Sequence, residues 1–134
     1  MFFMILFSKL VSLLLLFIIK GGDMVAKKEY AEGSFGAYLV KLLEGRNKSQ
    51  VEFIADLGIS KTYFVDVLNG RLKPPAPDMQ DRMIDVLHLE GRERYELYDR
   101  AAEGRKELPK DVVDYLLNNS VQIKSIREEM RRKL

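Results

Sequence analysis

One pattern constrains the fold of this 134-residue chain more than any other feature: a serine, then a short stretch rich in apolar residues, then a glycine, repeated along the sequence. Serine side chains cap helix N-termini, and glycine commonly ends helices. Ser49 also begins a Ser-x-x-Glu capping box with Glu52, a combination typical of a helix start. The order predicts three short helices with caps at Ser34, Ser49 and Ser60, over residues 35–45, 50–57 and 61–69.

Glycine also predicts where these helices stop. Gly45 is expected to end the first helix in the usual C-terminal manner, and Gly70 is expected to end the third. Gly58 lies between the second and third helices, where it supplies a turn that favours positive φ. The second and third helices are therefore expected to be joined by a tight turn.

The chain beyond the third helix continues as helices and has no alternating strand pattern of useful length. Residues 73–77 are a proline-rich, extended connector that cannot lie inside a helix. Asp78 starts a fourth helix, and a fifth runs over about residues 92–102 and stops at Gly104. Together these segments predict an all-α, five-helix domain over residues 33–104.

Residues 105–134 are predicted to form a C-terminal extension of two helices. Pro109 suits the first position of one helix, and Ser120 caps the other, which covers residues 121–132. The last fourteen residues carry five lysines or arginines and two glutamates. This basic stripe is interpreted either as a solvated helix face with i,i+4 pairs or as a surface for the DNA backbone or a partner protein.

Residues 1–23 are a hydrophobic segment with two interpretations. Residues 1–19 have Lys9 as their only charge, and about twenty apolar residues span a bilayer core. If they are translated they are a membrane anchor, and the positive-inside rule leaves the rest of the chain in the cytoplasm. Alternatively they are a start-site extension, because residues 20–24 can be encoded by a ribosome-binding sequence followed by an ATG for Met24. Both interpretations predict a cytoplasmic body.

The composition excludes several kinds of chemistry. Lys plus Arg number 22 and Asp plus Glu 20, so the net charge is only +2 and a nucleic-acid surface must arise from local charge placement. Cysteine is absent and His88, interpreted as a helix-end residue, is the only histidine. Disulfides, thiolate metal sites and histidine metal sites are thereby excluded. We expect no cofactor, no metal and, without a convergent nucleophile, base and phosphate loop, no enzyme.

Residues 50–69 have the length and spacing of two short helices around a turn. Their apolar residues repeat at helical spacing and are expected to point inward: Phe53, Leu57, Ile59, Phe64 and Val67. The other face of the third helix is left free. Spacing alone fits a helix-turn-helix and a plain helical hairpin in a bundle equally well.

Individual residues in and around this segment resemble the Cro/phage-repressor type helix-turn-helix, also called the XRE family. The matching positions are Ser49, Gln50, Leu57, Gly58, Ile59, Ser60, Tyr63, Phe64, Asp66, Val67, Asn69, Gly70, Arg71, Pro74 and Pro75. The resemblance covers residues 35–89, and residues 97–116 resemble an extension found in some bacterial members. It implies sequence-specific, usually dimeric binding to double-stranded DNA in transcriptional control.

The resemblance also implies which residues meet DNA, because family members lay the third helix in the major groove with its N-terminal residues at base edges. The positions facing bases or the groove wall are then Lys61, Thr62, Asp66 and Asn69. Gln50 matches a glutamine that contacts phosphate and braces the recognition helix. Backbone N–H groups at the helix starts, near Ser49 and Ser60, point toward phosphates. The flanking cations expected to meet backbone oxygens are Lys48, Arg71 and Lys73.

Two positions depart from the family pattern, and a third has a second interpretation. Ile54 stands where the family usually has alanine, and Leu68 where a glutamate is more common. Both departures bear on the angle at which the recognition helix sits. Asp66 either faces the groove or pairs locally with a neighbouring side chain.

The sequence thus predicts a cytoplasmic transcriptional regulator, a repressor, that binds a palindromic operator as a homodimer and reads the major groove with residues 61–69. Its two recognition helices would lie one DNA turn, ~34 Å, apart. The alternative is an antitoxin-like or other protein-interaction module that engages a partner protein through residues 105–134, with DNA binding secondary.

Overall fold

The computed structural model describes residues 29–134, and the predictions for residues 1–23 lie outside this part of the chain. Within it, no helix is both long and apolar enough to cross a membrane. The regular elements there are all α-helices: α1 (Phe35–Gly45), α2 (Gln50–Leu57), α3 (Lys61–Leu68), α4 (Pro77–Leu87), α5 (Gly91–Arg105), α6 (Lys110–Leu117) and α7 (Ser120–Arg132). The all-α prediction is confirmed for these residues.

Three helices begin where the sequence predicts a serine cap. The side-chain oxygens of Ser34, Ser49 and Ser60 accept hydrogen bonds of 3.1, 3.0 and 3.1 Å from the backbone N–H groups of Ala37, Glu52 and Tyr63. Each bond satisfies one of the N–H groups that a helix leaves without a partner in its first turn. Because replacing such a cap with alanine costs about 1 kcal/mol, the serines help to fix where α1, α2 and α3 begin.

The helix ends agree with the predictions at Gly58 and Gly70, whose φ angles are 68° and 74°. The end of α1 differs in detail. Gly45 is its last residue, but the left-handed backbone that follows falls on Asn47, at φ 50°. Asparagine adopts this conformation more readily than most residues with a side chain, so glycine is not needed there.

Three later boundaries differ from the predictions. α4 begins at Pro77 rather than Asp78, because the fixed φ of proline suits the first turn of a helix. Pro109 precedes α6 as its cap residue instead of being its first helical residue. Ser120 is itself the first residue of α7 and does not cap it, since Asn119 occupies the cap position; the Asn119 side chain donates back to the Tyr115 carbonyl at 2.7 Å and does not cap α7.

The predicted stop at Gly104 is wrong. α5 continues to Arg105, and the left-handed residue that follows it is Lys106, at φ 57°. A Cβ atom on Gly104 would lie 2.6 Å from Cγ of Pro74, closer than packed carbon atoms approach. Glycine stands at this position because the proline-rich connector packs against α5 there.

The connector between α3 and α4 is held by side chains as well as by its prolines. Pro74 and Pro75 are buried. Arg105 donates to the Pro74 carbonyl at 2.9 Å, and the amide of Gln80 donates to the Pro75 carbonyl at 2.8 Å. Since proline also fixes φ, this segment is rigid, as its sequence predicts.

The core lies among α1 to α5. α1 packs against α3 and α5, α2 packs against α3 and α4, and α4 packs against α5. Apolar side chains from all five helices form one buried cluster, and its least exposed members include Leu39, Phe53, Leu57, Phe64, Met83 and Leu97. Burying such a side chain contributes about 1.5–3 kcal/mol relative to leaving it in water.

α1 and α3 approach each other closely at Gly36. A Cβ atom there would lie 2.2 Å from the carbonyl oxygen of Leu68, so a side chain would force the two helices apart. Leu68 is itself buried in the core. A carboxylate at this position would be buried and unpaired, which is costly, so the packing favours an apolar residue there.

The last two helices differ from the rest. We call residues 110–134 the C-terminal arm, in which α6 contacts α5 and α7 contacts α6, and neither helix has a buried residue. Lys110 links the arm to α4, because its ammonium lies 2.8 Å from a carboxylate oxygen of Asp81; it also pairs with Asp114. The hydroxyl of Tyr98 in α5 donates to the same Asp81 at 2.6 Å. One carboxylate therefore joins α4, α5 and α6.

Candidate nucleic-acid interface

The connection between α2 and α3 is a three-residue turn. The N–H groups of Gly58 and Ile59 both bond to the Ile54 carbonyl, at 2.9 and 3.3 Å. The rings of Phe53 and Phe64 meet edge to face, with their centroids 5.9 Å apart. Such a pair contributes ~0.5–1.5 kcal/mol beyond the area it buries. The turn and the ring contact together fix α3 against α2.

The predicted inward positions of this unit are confirmed. The buried side chains are Phe53, Leu57, Phe64 and Val67, with Ile59 half-buried against them. Ile54 is also half-buried on this cluster, so the two helices accommodate a side chain larger than alanine there. The packing holds α3 from one side and leaves its other side outward.

The outward side of α3 begins with two exposed polar side chains, Lys61 and Thr62. They are the first two helical residues after the Ser60 cap, at the end of the helix where the dipole is positive. Lys61 has no ion-pair partner within residues 29–134. The exposure of both side chains means that the C-terminal arm does not cover them.

Farther along α3, Asp66 is half-buried and paired. Its carboxylate accepts a 3.1 Å hydrogen bond from the guanidinium of Arg71, and its carbonyl accepts bonds of 2.9 and 3.2 Å from the N–H groups of Arg71 and Leu72. The local pairing that the sequence left open is therefore present. The carboxylate of Asp66 therefore partly neutralises Arg71, one of the cations predicted to contact phosphate.

The other flanking residues lie at the start of α2 and in the connector that follows α3. Lys48 is only 23% exposed, and its ammonium lies 2.6 Å from a carboxylate oxygen of Asp56 at the far end of α2. Gln50, the first residue of α2, is exposed, and so is Lys73 in the connector. The pairing of Lys48 with Asp56 has no local signal in the sequence, because it depends on how the loop before α2 turns back along the helix.

Asn69 is placed differently from the prediction for a groove-facing residue. It is the C-cap of α3, and its side-chain nitrogen is buried and has no hydrogen-bond partner among residues 29–134. An unsatisfied buried donor costs ~1–3 kcal/mol. The residue borders a cleft of about 700 Å³ that Arg71, Arg100 and Glu103 also line. In this conformation the nitrogen is not offered to a base edge, and no local pattern in the sequence indicates the cleft.

Two of the groups with clearly shifted pKa values, Tyr98 and Glu93, bond to residues of other segments of the body. Burial, and next the hydrogen bond to Asp81, raise the pKa of Tyr98 to about 12. The hydrogen bond from Arg46 lowers the pKa of Glu93. His88 ends α4 with φ 52°, which confirms it as a helix-end residue. Among residues 29–134, no group of three or more His, Asp or Glu side chains is arranged to hold a metal ion.

Comparisons with protein-family models, with curated proteins and with solved structures found no match to this chain. A function must therefore be inferred from the residues themselves. The most informative are those on the outward side of α3 and at the starts of α2 and α3.

Proposed function

We propose that this chain is a non-enzymatic, sequence-specific DNA-binding regulator of transcription, acting as a repressor in the cytoplasm. In this proposal α1 to α5 are a five-helix domain of the Cro/phage-repressor type, and α3 is the recognition helix of its helix-turn-helix. One observation carries the proposal. Lys61 and Thr62 are exposed at the capped start of α3, while Phe64 and Val67 anchor the helix from behind.

The chemistry of these two exposed side chains supports base recognition. An ammonium such as that of Lys61 donates to O6 or N7 of guanine, and the hydroxyl or methyl of Thr62 meets a base edge or a thymine methyl. Helix-turn-helix proteins read bases with the N-terminal residues of the second helix. Asp66 would lie along the groove wall, where its bond to Arg71 orients that guanidinium.

The helix starts supply contacts to phosphate. Ser49 and Ser60 each satisfy one N–H group, and other N–H groups of the same first turns have no partner within the helix. Such groups bind anions, and the positive end of the helix dipole strengthens the attraction. The exposed amide of Gln50 adds a side-chain donor at the start of α2.

Cations beside α3 would complete the phosphate contacts. Lys48 and Arg71 would exchange a carboxylate partner for a phosphate. The exchange costs little at Arg71, whose side chain is 67% exposed, because exposed ion pairs contribute ~0–1 kcal/mol. Residues 45–73 carry five cations and three acidic residues. One copy should therefore bind weakly and with marked salt dependence. A homodimer on a palindromic operator would supply the missing contacts.

Selection of bound sites from random duplex DNA with the full chain tests the proposal. Fluorescence anisotropy then compares the selected duplex with random duplex for wild type and for the double variant Lys61→Ala, Thr62→Ala. Because a good base contact discriminates by ~1–3 kcal/mol, we expect the variant to lose at least about tenfold in preference. Lys41→Ala removes an exposed cation from α1 and should leave the preference unchanged. If no sequence is enriched, or if the double variant keeps its preference, the proposal is wrong.

The exposed apolar residues of the C-terminal arm favour a second candidate, an antitoxin-like or other protein-interaction module. In that case a stoichiometric partner protein would co-purify with the chain and would be lost when the arm is altered. A small toxin-like gene beside this one would point the same way.

A further inference from the structure

One hydrophobic residue of α3 takes no part in the core. The other four belong to the buried cluster or pack against it: Tyr63, Phe64, Val67 and Leu68. Val65 is half-buried, and within residues 29–134 it does not pack against that cluster. The core therefore does not account for a valine at this position.

Val65 lies in the middle of the outward side of α3. It follows Lys61 by four residues and Thr62 by three, and it precedes Asn69 by four. Residues three and four apart are neighbours on the surface of a helix. The side chain of Val65 is thus next to the two exposed residues, Lys61 and Thr62, that are proposed to contact bases.

Helix formation does not account for the valine either. Its β-branch restricts χ1 and makes valine a poorer helix former than leucine, lysine or glutamine. The same branch gives valine one preferred rotamer in a helix, so the methyl groups of Val65 hold a fixed position. A contact to them then costs little conformational entropy. This residue is suited to contacting a small apolar group outside the protein.

We infer that Val65 contacts a pyrimidine 5-methyl group in the major groove. This methyl distinguishes thymine in the groove, and apolar side chains recognise it by direct contact. Thymine carries it in ordinary DNA, and 5-methylcytosine carries the same group where cytosine is methylated. The methyl of Thr62 adds to the apolar contact, while the ammonium of Lys61 donates to a guanine nearby. The operator would then carry a methylated pyrimidine close to that guanine.

The inference rests on the proposed function, because it names a feature of DNA that the same helix contacts. The two can fail separately. If selection from random duplex DNA enriches no sequence, the proposed function is wrong and the inference falls with it. If a sequence is enriched but no pyrimidine methyl in it depends on Val65, only the inference is wrong.

Fluorescence anisotropy with the full chain tests the contact from both sides. In one half of the selected duplex, each thymine is replaced in turn by uracil, which lacks the methyl group. The proteins are wild type, Val65→Ala and Val112→Ala, a control that removes the same two methyl groups from an exposed position in α6. Because alanine favours helices, the Val65 variant should keep α3, and circular dichroism checks this.

At one thymine we expect uracil to weaken binding of wild type and of Val112→Ala by ~4-fold, the effect of exposing one methyl group. Val65→Ala should bind the thymine duplex at least ~4-fold more weakly than wild type and should bind the thymine and uracil duplexes equally. The inference is overturned if the selected half contains no thymine, or if no uracil substitution weakens wild type. It is also overturned if Val65→Ala keeps the thymine preference of the control.

A cytosine and a 5-methylcytosine at the same position identify the source of the methyl group. Wild type should bind the methylated duplex ~4-fold more tightly than the unmethylated one, and Val65→Ala should bind both equally. If the methylated duplex equals the thymine duplex, the operator can present either base to Val65. If it binds more weakly than the thymine duplex, thymine is the base recognised. Equal binding of wild type to cytosine and 5-methylcytosine would contradict a contact to the methyl group.

Discussion

The five-helix body and the C-terminal arm are built from helices of the same kind, but only the body surrounds an interior. α2 and α6 each have eight residues and each end in a leucine. Leu57 of α2 is 1% exposed, whereas Leu117 of α6 is 74% exposed. The contrast teaches that apolar spacing determines where a helix forms, while the surface it packs on depends on residues far away in the sequence.

The two leucines give the largest expected effect. Leu57→Ala should lower the free energy of unfolding by ~2–5 kcal/mol, because it leaves a cavity between α2 and the rest of the core. Leu117→Ala should change it by less than ~0.5 kcal/mol. Urea denaturation at submicromolar protein measures both without a contribution from association. Similar losses for the two variants would mean that the arm is packed as firmly as the body.

A pair of glycines in α1 sharpens the comparison within the body. Gly36→Ala places a Cβ atom 2.2 Å from the Leu68 carbonyl oxygen, so α1 and α3 must separate and unfolding should become easier by ~1–3 kcal/mol. The Cβ atom of Gly45→Ala would meet no atom of residues 29–134 within 4 Å. This substitution should leave stability unchanged or raise it by up to ~1 kcal/mol.

Thermal unfolding of both glycine variants provides the measurement. If Gly36→Ala proves as stable as Gly45→Ala, α1 and α3 do not approach as closely as described. The position of α3 in front of the core would then need revision.

The attachment of the arm gives the smallest effect. Burial opposes the ionisation of Asp81, but the hydrogen bonds from Lys110 and Tyr98 outweigh it and lower its pKa. A carboxyl group with a lowered pKa stabilises the fold above its unfolded pKa, about 3.9, and this stability is lost as pH falls through the folded pKa. Asp81→Asn should therefore cost up to ~1 kcal/mol at neutral pH and flatten the loss of stability below about pH 4.

Urea midpoints between pH 3 and pH 7 measure this difference, with Asp85→Asn, an exposed position on the same helix, as the matched control. We expect the control to follow wild type. An Asp81→Asn variant with the pH dependence of wild type would show that the carboxylate does not hold the arm.

The sequence predicted those parts of the fold that depend on neighbouring residues. The serine caps, the left-handed Gly58 and the inward side of α2 and α3 each follow from a local pattern. Gly36 and Gly104 were not predictable in this way, because each is required by a residue of another segment, Leu68 or Pro74. Glycine at Gly104 resembles a helix stop when only its neighbours are considered.

The residues of the candidate site also include some whose placement was predictable from the sequence and some whose placement was not. The exposure of Lys61 and Thr62 follows from helix phase once Phe64 and Val67 are assigned to the core. The pairing of Lys48 with Asp56 and the burial of the Asn69 amide depend on side-chain conformations and on the packing of distant segments. Local spacing carries no information about either.

The connector at Pro74 and Pro75 has a consequence for selectivity. It leaves α3 with a stiff exit that Gln80 and Arg105 secure. If α3 binds a duplex as proposed, it loses little conformational entropy on binding. For the same reason it cannot change its position much to fit a poorly matched sequence. Any change of shape needed for a good fit must then occur in the DNA. Operators whose steps bend or twist easily would be preferred even at base pairs that no side chain touches.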